Sequence, residues 1–188
     1  MIITTILGSP RKNGNTATVL KAFEGLAKSR YQIDRINITD FSISGCLGCN
    51  VCYKHPDEPG CIQKDDAVLI LNRLIKSDVI VYSTPLYVWS FSAQMKALID
   101  RHYCLVKWKN GEIAGALLQG KRAALLVTCG DPIENNADLI PVIFDRQMKY
   151  LKCEVIGKYI VPNCSRPSLL GDRALTKAQE LYNDIKII

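Results

Sequence analysis

Long apolar runs are missing from this chain. Stretches such as Ala67–Leu71 fall far short of the roughly 18 residues a helix needs to cross a bilayer, so no transmembrane helix is expected. The apolar opening, Met1 to Leu7, has no basic region ahead of it and no small-residue cleavage site behind it. It reads as a strand of the fold rather than a signal peptide, and a cytoplasmic location is expected. A polybasic tract is missing too. The 24 Lys and Arg residues are interspersed with 18 Asp and Glu, so the formal charge of +6 describes a solvated surface, and neither nucleic acid nor membrane is an expected partner. Histidine is scarce: His55 and His102 lack metal-ligand spacing and are expected at the surface. No Ser, His and acid set stands at hydrolase spacing and no Gly-x-Ser-x-Gly elbow is present, so hydrolysis has no visible machinery.

What the sequence does hold suits a single domain over residues 1–188. It is 48% apolar and 22% charged, with mean hydropathy +0.05, which rules out a disordered or collagenous chain. Eight cysteines without an export signal point to reduced thiols, and so to metal, cluster or redox chemistry before a disulfide framework. Four of them, Cys46, Cys49, Cys52 and Cys61, crowd into sixteen residues. Cys104, Cys153 and Cys164 are scattered and read as structural, and Cys129 reads as a small buried residue.

Strand and helix patterns alternate along the chain. Residues 2–7 form a β-branched run ended by Gly8-Ser9-Pro10, and a helix with Val19, Leu20, Phe23 and Leu26 on one face opens after Asn13-Gly14-Asn15-Thr16. Further strands are expected at Tyr31–Ile38, Asp78–Ser83, Arg122–Thr128 and near Glu154–Val161. Helices are expected from an Asp65-Asp66 cap through Ile75, over Ser92–Val106, near Asn136–Leu151 and near Asp172–Ile185, with a hairpin-like turn at Lys109–Glu112. Asp100-Arg101 reads as an ion pair at a helix end. Residues at about 41–64 have no period and form a cysteine-rich loop insertion long enough to require a task. Five mostly apolar strands, each followed by a helical pattern, require a parallel sheet covered on both faces. The expected fold class is therefore α/β, a doubly wound five-stranded sheet of flavodoxin-like order 2-1-3-4-5, with a ligand crevice beyond strands 1, 3 and 4.

The loop after the first strand has the chemistry of an anion cradle. Ser9 and Thr16 offer hydroxyls, Arg11 a guanidinium, Asn15 an amide, and Gly14 a close approach to main-chain N–H groups at a helix start. No Gly-Lys-Ser/Thr follows and no Gly-x-Gly-x-x-Gly is present, so a terminal monophosphate fits better than a pyrophosphate. Gly8, Ser9, Arg11, Asn15 and Thr16 match a Gly-Ser-x-Arg-x-x-x-Asn-Thr pattern, in which the chain resembles the NADPH-dependent FMN reductase-like branch of the flavodoxin superfamily. Pro85-Leu86-Tyr87 and Gln94 to Arg101 extend the resemblance. It implies that the first loop holds the FMN phosphate and that Pro85, Leu86, Tyr87, Val88 and Trp89 line the flavin ring. Cys129 and Gly130 occupy the place of the family's third flavin loop, although Asp131 departs from its neutral form.

In the cysteine loop, overlapping C-x2-C steps let each sulfur meet a different iron of a [4Fe-4S] cubane, with Cys61 closing the last corner. A single zinc on the same four ligands, or a cluster-free loop with reduced thiols, remains an alternative. The motif resembles that of the iron-sulfur flavoproteins, although eight residues separate Cys52 from Cys61, slightly more than that pattern carries. The resemblance implies an FMN-dependent oxidoreductase whose cluster relays electrons to FMN, with ferredoxin or NAD(P)H as donor, assembled as a homodimer or homotetramer. A cluster-free NAD(P)H-dependent FMN or quinone reductase and a non-enzymatic flavodoxin-like electron carrier are the other readings.

Overall fold

Runs of Ile, Val and Leu that can bury both faces belong inside a parallel sheet. In the computed structural model, which describes residues 1–186, the chain forms β1 (Ile2–Leu7), α1 (Asn15–Ala27), β2 (Gln32–Asn37), α2 (Ala67–Lys76), β3 (Val79–Pro85) and α3 (Ala93–Arg101). It continues through β4 (Val106–Lys109), β5 (Glu112–Ala116), β6 (Arg122–Thr128), α4 (Leu139–Tyr150), β7 (Glu154–Val161) and α5 (Asp172–Lys186). Five strands build an all-parallel sheet of order β2-β1-β3-β6-β7. The expected numbering 2-1-3-4-5 is not matched as written, because β4 and β5 intervene in the chain and pair only with each other, as an antiparallel hairpin turned by Asn110 and Gly111.

Alternate side chains of the central strands serve two cores. Ile3, Leu7, Val79, Val81, Ala124 and Leu126 meet α1 and α5 through Leu20, Phe23, Ala178 and Leu181. Ile6, Ile80, Tyr82, Leu125 and Val127 point the other way, against Leu71 and Leu74 of α2, Met95 and Leu98 of α3, and Phe144 of α4. The register places Leu7 opposite Ser83, Pro85 opposite Thr128 and Thr128 opposite Val161, so four strands end along one edge. No helix among the described residues is long and apolar enough to cross a membrane.

Three expectations are corrected. The helix expected over Ser92–Val106 stops at Arg101 and passes through a 3-10 turn, His102–Leu105, because Val106 is taken into the hairpin opposite Ala116. That turn carries His102 inward, where it is 2% exposed rather than on the surface, with its Nδ1 2.9 Å from Gln147 Nε2 and its ring edge-on to Tyr82. Burial pushes the imidazole pKa down to about 3. His55 stays partly exposed beside Glu58. Asp100 and Arg101 do not pair with each other, since adjacent helix residues point about 100° apart: Asp100 takes Lys96 at 2.5 Å, and Arg101 turns inward to Asp65 at 2.6 Å.

Gly8 sits where β1 meets α3, and a Cβ there would lie 2.8 Å from Met95 Cε and 3.1 Å from the Ser83 carbonyl oxygen. Gly8→Ala is therefore expected to cost about 1–3 kcal/mol in urea unfolding. Gly25→Ala on exposed α1 surface, with nothing within 4 Å of the added methyl, should gain about 0.5–1 kcal/mol. Because the unfolded chain protonates His102 near pH 6.5 and the folded chain only near 3, stability should fall as pH drops below 6.5, by at most about 1.4 kcal/mol per unit. His102→Asn should flatten the unfolding-midpoint profile between about pH 6.5 and 5.

Candidate functional site

The strand-end edge opens into a crevice of about 460 Å³, within the usual size of small-molecule sites. One wall is the β1–α1 loop. Ser9 accepts the Arg11 N–H at 3.1 Å, and Gly14 N–H donates to the Arg11 carbonyl at 3.0 Å, which folds the loop back onto the start of α1. Gly14 precedes the helix with no side-chain cap and the first turn holds no acidic residue, so its N–H groups and their partial positive charge face outward unanswered. Thr16 and Thr128 join hydroxyls at 2.7 Å across the floor. Asn15, in the same wall, has its Oδ1 buried and without a partner among the described residues. Lys12 ties the loop to Asp40, whose carboxyl is held below its ordinary range by that ammonium and by Asn37.

Of the residues expected to bind a cofactor, Ser9, Arg11, Gly14, Asn15, Thr16, Pro85, Leu86, Tyr87, Cys129 and Gly130 all line this crevice. Val88 and Trp89 do not. They form a tight turn between Tyr87 and Ser90, both at positive φ (47° and 58°), and their side chains project to solvent at 84% and 58% exposure. The N–H groups of Leu86, Tyr87 and Cys129 are already spent on Thr128, Ser90 and Val161 carbonyls, whereas those of Val88, Trp89 and Gly130 have no backbone acceptor among the described residues. Cys129 is buried, and desolvation pushes its thiol up to about 11, so it stays protonated. The sequence reading missed the segment Cys164 to Pro167, which closes the far wall. Its signal was the polar Ser165-Arg166 turn after β7, the strand beside β6.

The cysteine loop lies between β2 and α2. Asp65 and Asp66, expected as a helix cap, chiefly clamp the loop: Asp66 accepts Ser42 N–H at 2.7 Å, and Asp65 accepts Ser44 N–H at 2.9 Å as well as Ala67 N–H at 3.1 Å. Arg101 donates to Asp65, to the Ser44 carbonyl at 3.0 Å and to Cys61 Sγ at 3.1 Å. Burial works against the Asp65 anion, yet Arg101 and the two N–H groups hold its pKa below the usual range. Gly48 and Gly60, at φ 66° and 59°, allow the sharp turns, and Gly48 N–H points at Cys46 Sγ at 3.4 Å. No three His, Cys, Asp or Glu among the described residues are placed to hold one metal ion. All four clustered cysteines nevertheless ring one small cavity, together with Arg101 and Tyr103. In a cubane each thiolate meets its own iron, so four cysteines around one cavity match the chemistry of a cluster's donor set. Burial pushes the Cys52 thiol up, with Lys107 opposing.

A family model described as NADPH-dependent FMN reductase matches residues 1–158. An iron-sulfur flavoprotein of Archaeoglobus fulgidus is 35% identical, the match covering 96% of this chain and 76% of that protein. An iron-sulfur flavoprotein of Methanocaldococcus jannaschii is 34% identical over 54% of this chain; that match spans about half of the relative, 51%. The NAD(P)H:quinone oxidoreductase from Methanothermobacter marburgensis has a similar fold, with TM-score 0.76 at 17% identity, covering 99% of this chain and 96% of that one.

Val88 and Trp89 occupy turn positions that favour Asn and Gly. The double substitution Val88→Asn with Trp89→Gly is expected to raise stability by about 1–3 kcal/mol in urea unfolding, since both replacements accept positive φ.

Proposed function

The chain belongs to the NADPH-dependent FMN reductase family, and from that premise we infer that it is an FMN-dependent oxidoreductase of the iron-sulfur flavoprotein type. The observation that carries this reading is the convergence, on one crevice, of an uncapped helix start, the Arg11 guanidinium and the buried Asn15 acceptor. A phosphate dianion answers the N–H groups and Arg11, and a ribityl hydroxyl answers Asn15 Oδ1. Pro85, Leu86 and Tyr87 offer apolar and aromatic surface to a flavin ring, and the unpaired N–H group of Gly130 in the crevice and those of Val88 and Trp89 in the adjoining turn are donors for its polar edge. When bound, FMN supplies two-electron and one-electron redox chemistry, and a [4Fe-4S] cluster supplies single-electron relay.

Cys46, Cys49, Cys52 and Cys61 are the residues proposed to hold that cluster. Their ring encloses only about 10 Å³, about one water's space, so the exposed Cys46 and Cys49 side has to move outward to admit it. The names of the two iron-sulfur flavoprotein relatives support this part of the reading. Electrons come from ferredoxin or NAD(P)H. The exposed stripe Leu139, Val142 and Ile143 on α4 supports a homo-oligomer, as a dimer or tetramer.

Protein purified without oxygen should show flavin absorbance with a broad sulfur-to-iron shoulder, and should turn over with ferredoxin or NAD(P)H rather than merely accept electrons once. A flavin spectrum with no iron or sulfide leaves the cluster-free reductase; colourless protein that takes up no added FMN rejects both. Arg11→Ala is expected to weaken FMN binding about 10–100-fold, the worth of one charge-assisted hydrogen bond, while riboflavin, which lacks the phosphate, binds as before. Flavin fluorescence titration reads both constants.

A further inference from the structure

Two cations stand beside the cysteine ring, and only one of them has a carboxylate at ion-pair distance among the described residues. Arg101 has no exposed side-chain surface, and Asp65 neutralises it, while its Nε is buried without a partner among the described residues. Lys107, at the start of the hairpin, is partly buried, and its ammonium donates to three carbonyl oxygens: His55 at 2.8 Å, Glu58 at 2.6 Å and Cys104 at 2.8 Å. Two of those carbonyls belong to the cysteine loop itself. No carboxylate reaches ion-pair distance of Lys107 among the described residues, and Glu58 engages His55 instead. Glu58 and Asp57 act on Lys107 only from beyond ion-pair distance, so of the two cations beside the thiols only Arg101 has a carboxylate in contact among the described residues. An ammonium partly drawn out of water, with carbonyl dipoles in contact and carboxylates only at a distance, gains from an anionic group that forms beside Cys52 and Cys104.

Four thiolates around an iron-sulfide core supply that group, with a net charge of about −2. We propose that Lys107 and Arg101 are the counter-charge of the loaded cysteine loop: positioning residues that stabilise the thiolate set and raise the cluster's reduction potential, because a fixed cation favours the more negative, reduced form. This rests on the iron-sulfur reading above. The two cations divide the work. Arg101 ties Ser44, Asp65 and Cys61 into one knot, and Lys107 gathers the far limb of the loop, His55 to Glu58, against the turn that follows α3.

The test uses the full chain, purified without oxygen, as wild type, Lys107→Gln, Lys107→Arg and Arg101→Lys, with bound FMN per chain as the check on folding. Iron, sulfide and the one-electron midpoint potential of the cluster are measured for each. Lys107→Gln is expected to lower the potential by about 59 mV, a tenfold shift in the reduction equilibrium, or to lose iron while keeping FMN, and Lys107→Arg to stay near wild type in both. Arg101→Lys should shift the potential less than Lys107→Gln, because its charge is kept. An iron-loaded Lys107→Gln protein with unchanged potential overturns the proposal and leaves the cluster reading standing. So does equal loss in Lys107→Gln and Lys107→Arg, which would mark a packing role. Wild type without iron overturns the cluster reading, and the proposal with it.

Discussion

A guanidinium with no surface in water has to be answered entirely by its surroundings, and the pairing of Arg101 with Asp65 does this at the last residue of α3. The same helix is anchored at its other end by Ser92, which accepts Met95 N–H at 3.2 Å and donates to the Gly8 carbonyl at 2.5 Å. One end of α3 therefore fixes the crevice loop and the other fixes the cysteine loop. Nine residues of helix are about 13 Å long, so a single rigid element sets the spacing between the two candidate cofactor sites. Loss of the Asp65 carboxylate would free Ser44 and Ala67 together with Arg101, which makes that carboxylate the junction of loop, helix and thiol ring.

The two sites follow one electrostatic logic with the chemistry changed. In the crevice, uncapped N–H groups and Arg11 present positive potential to a ligand that approaches from solvent. At the cysteine ring the positive groups are side chains, Arg101 buried and Lys107 partly buried, set against thiols that burial would otherwise keep protonated. A dianion that arrives from water needs an open cleft, whereas thiolates formed in place need their counter-charge built in. That difference accounts for a wide crevice at the first site and a small cavity with built-in cations at the second.

Much of the fold was legible along the chain because the central strands are mostly apolar with no polar alternation, and such runs have few alternatives to a covered parallel sheet. The β1–α1 loop was legible for a related reason: Ser9, Gly14, Asn15 and Thr16 are neighbours in sequence and stay neighbours in space. Val88 and Trp89 show the limit. The family resemblance implied that they line the flavin ring, but the Tyr87–Ser90 turn holds both residues at positive φ and their side chains project to solvent. His102 failed for another reason, since a polar residue after Asp100-Arg101 reads as surface until the 3-10 turn rotates it under Tyr82.

By itself the sequence determined the strand and helix pattern, the anion-suited loop and the four-cysteine set, all properties of residues close together in the chain. Only the tertiary structure decided that Arg101 faces Asp65 across 36 positions and that Lys107 reaches back 52 to the His55 carbonyl. It also decided that Cys164 to Pro167 close the crevice. Local pattern follows from backbone preference and burial period. Partners far apart in sequence are chosen by which helix packs on which face of the sheet, and no single segment carries that information.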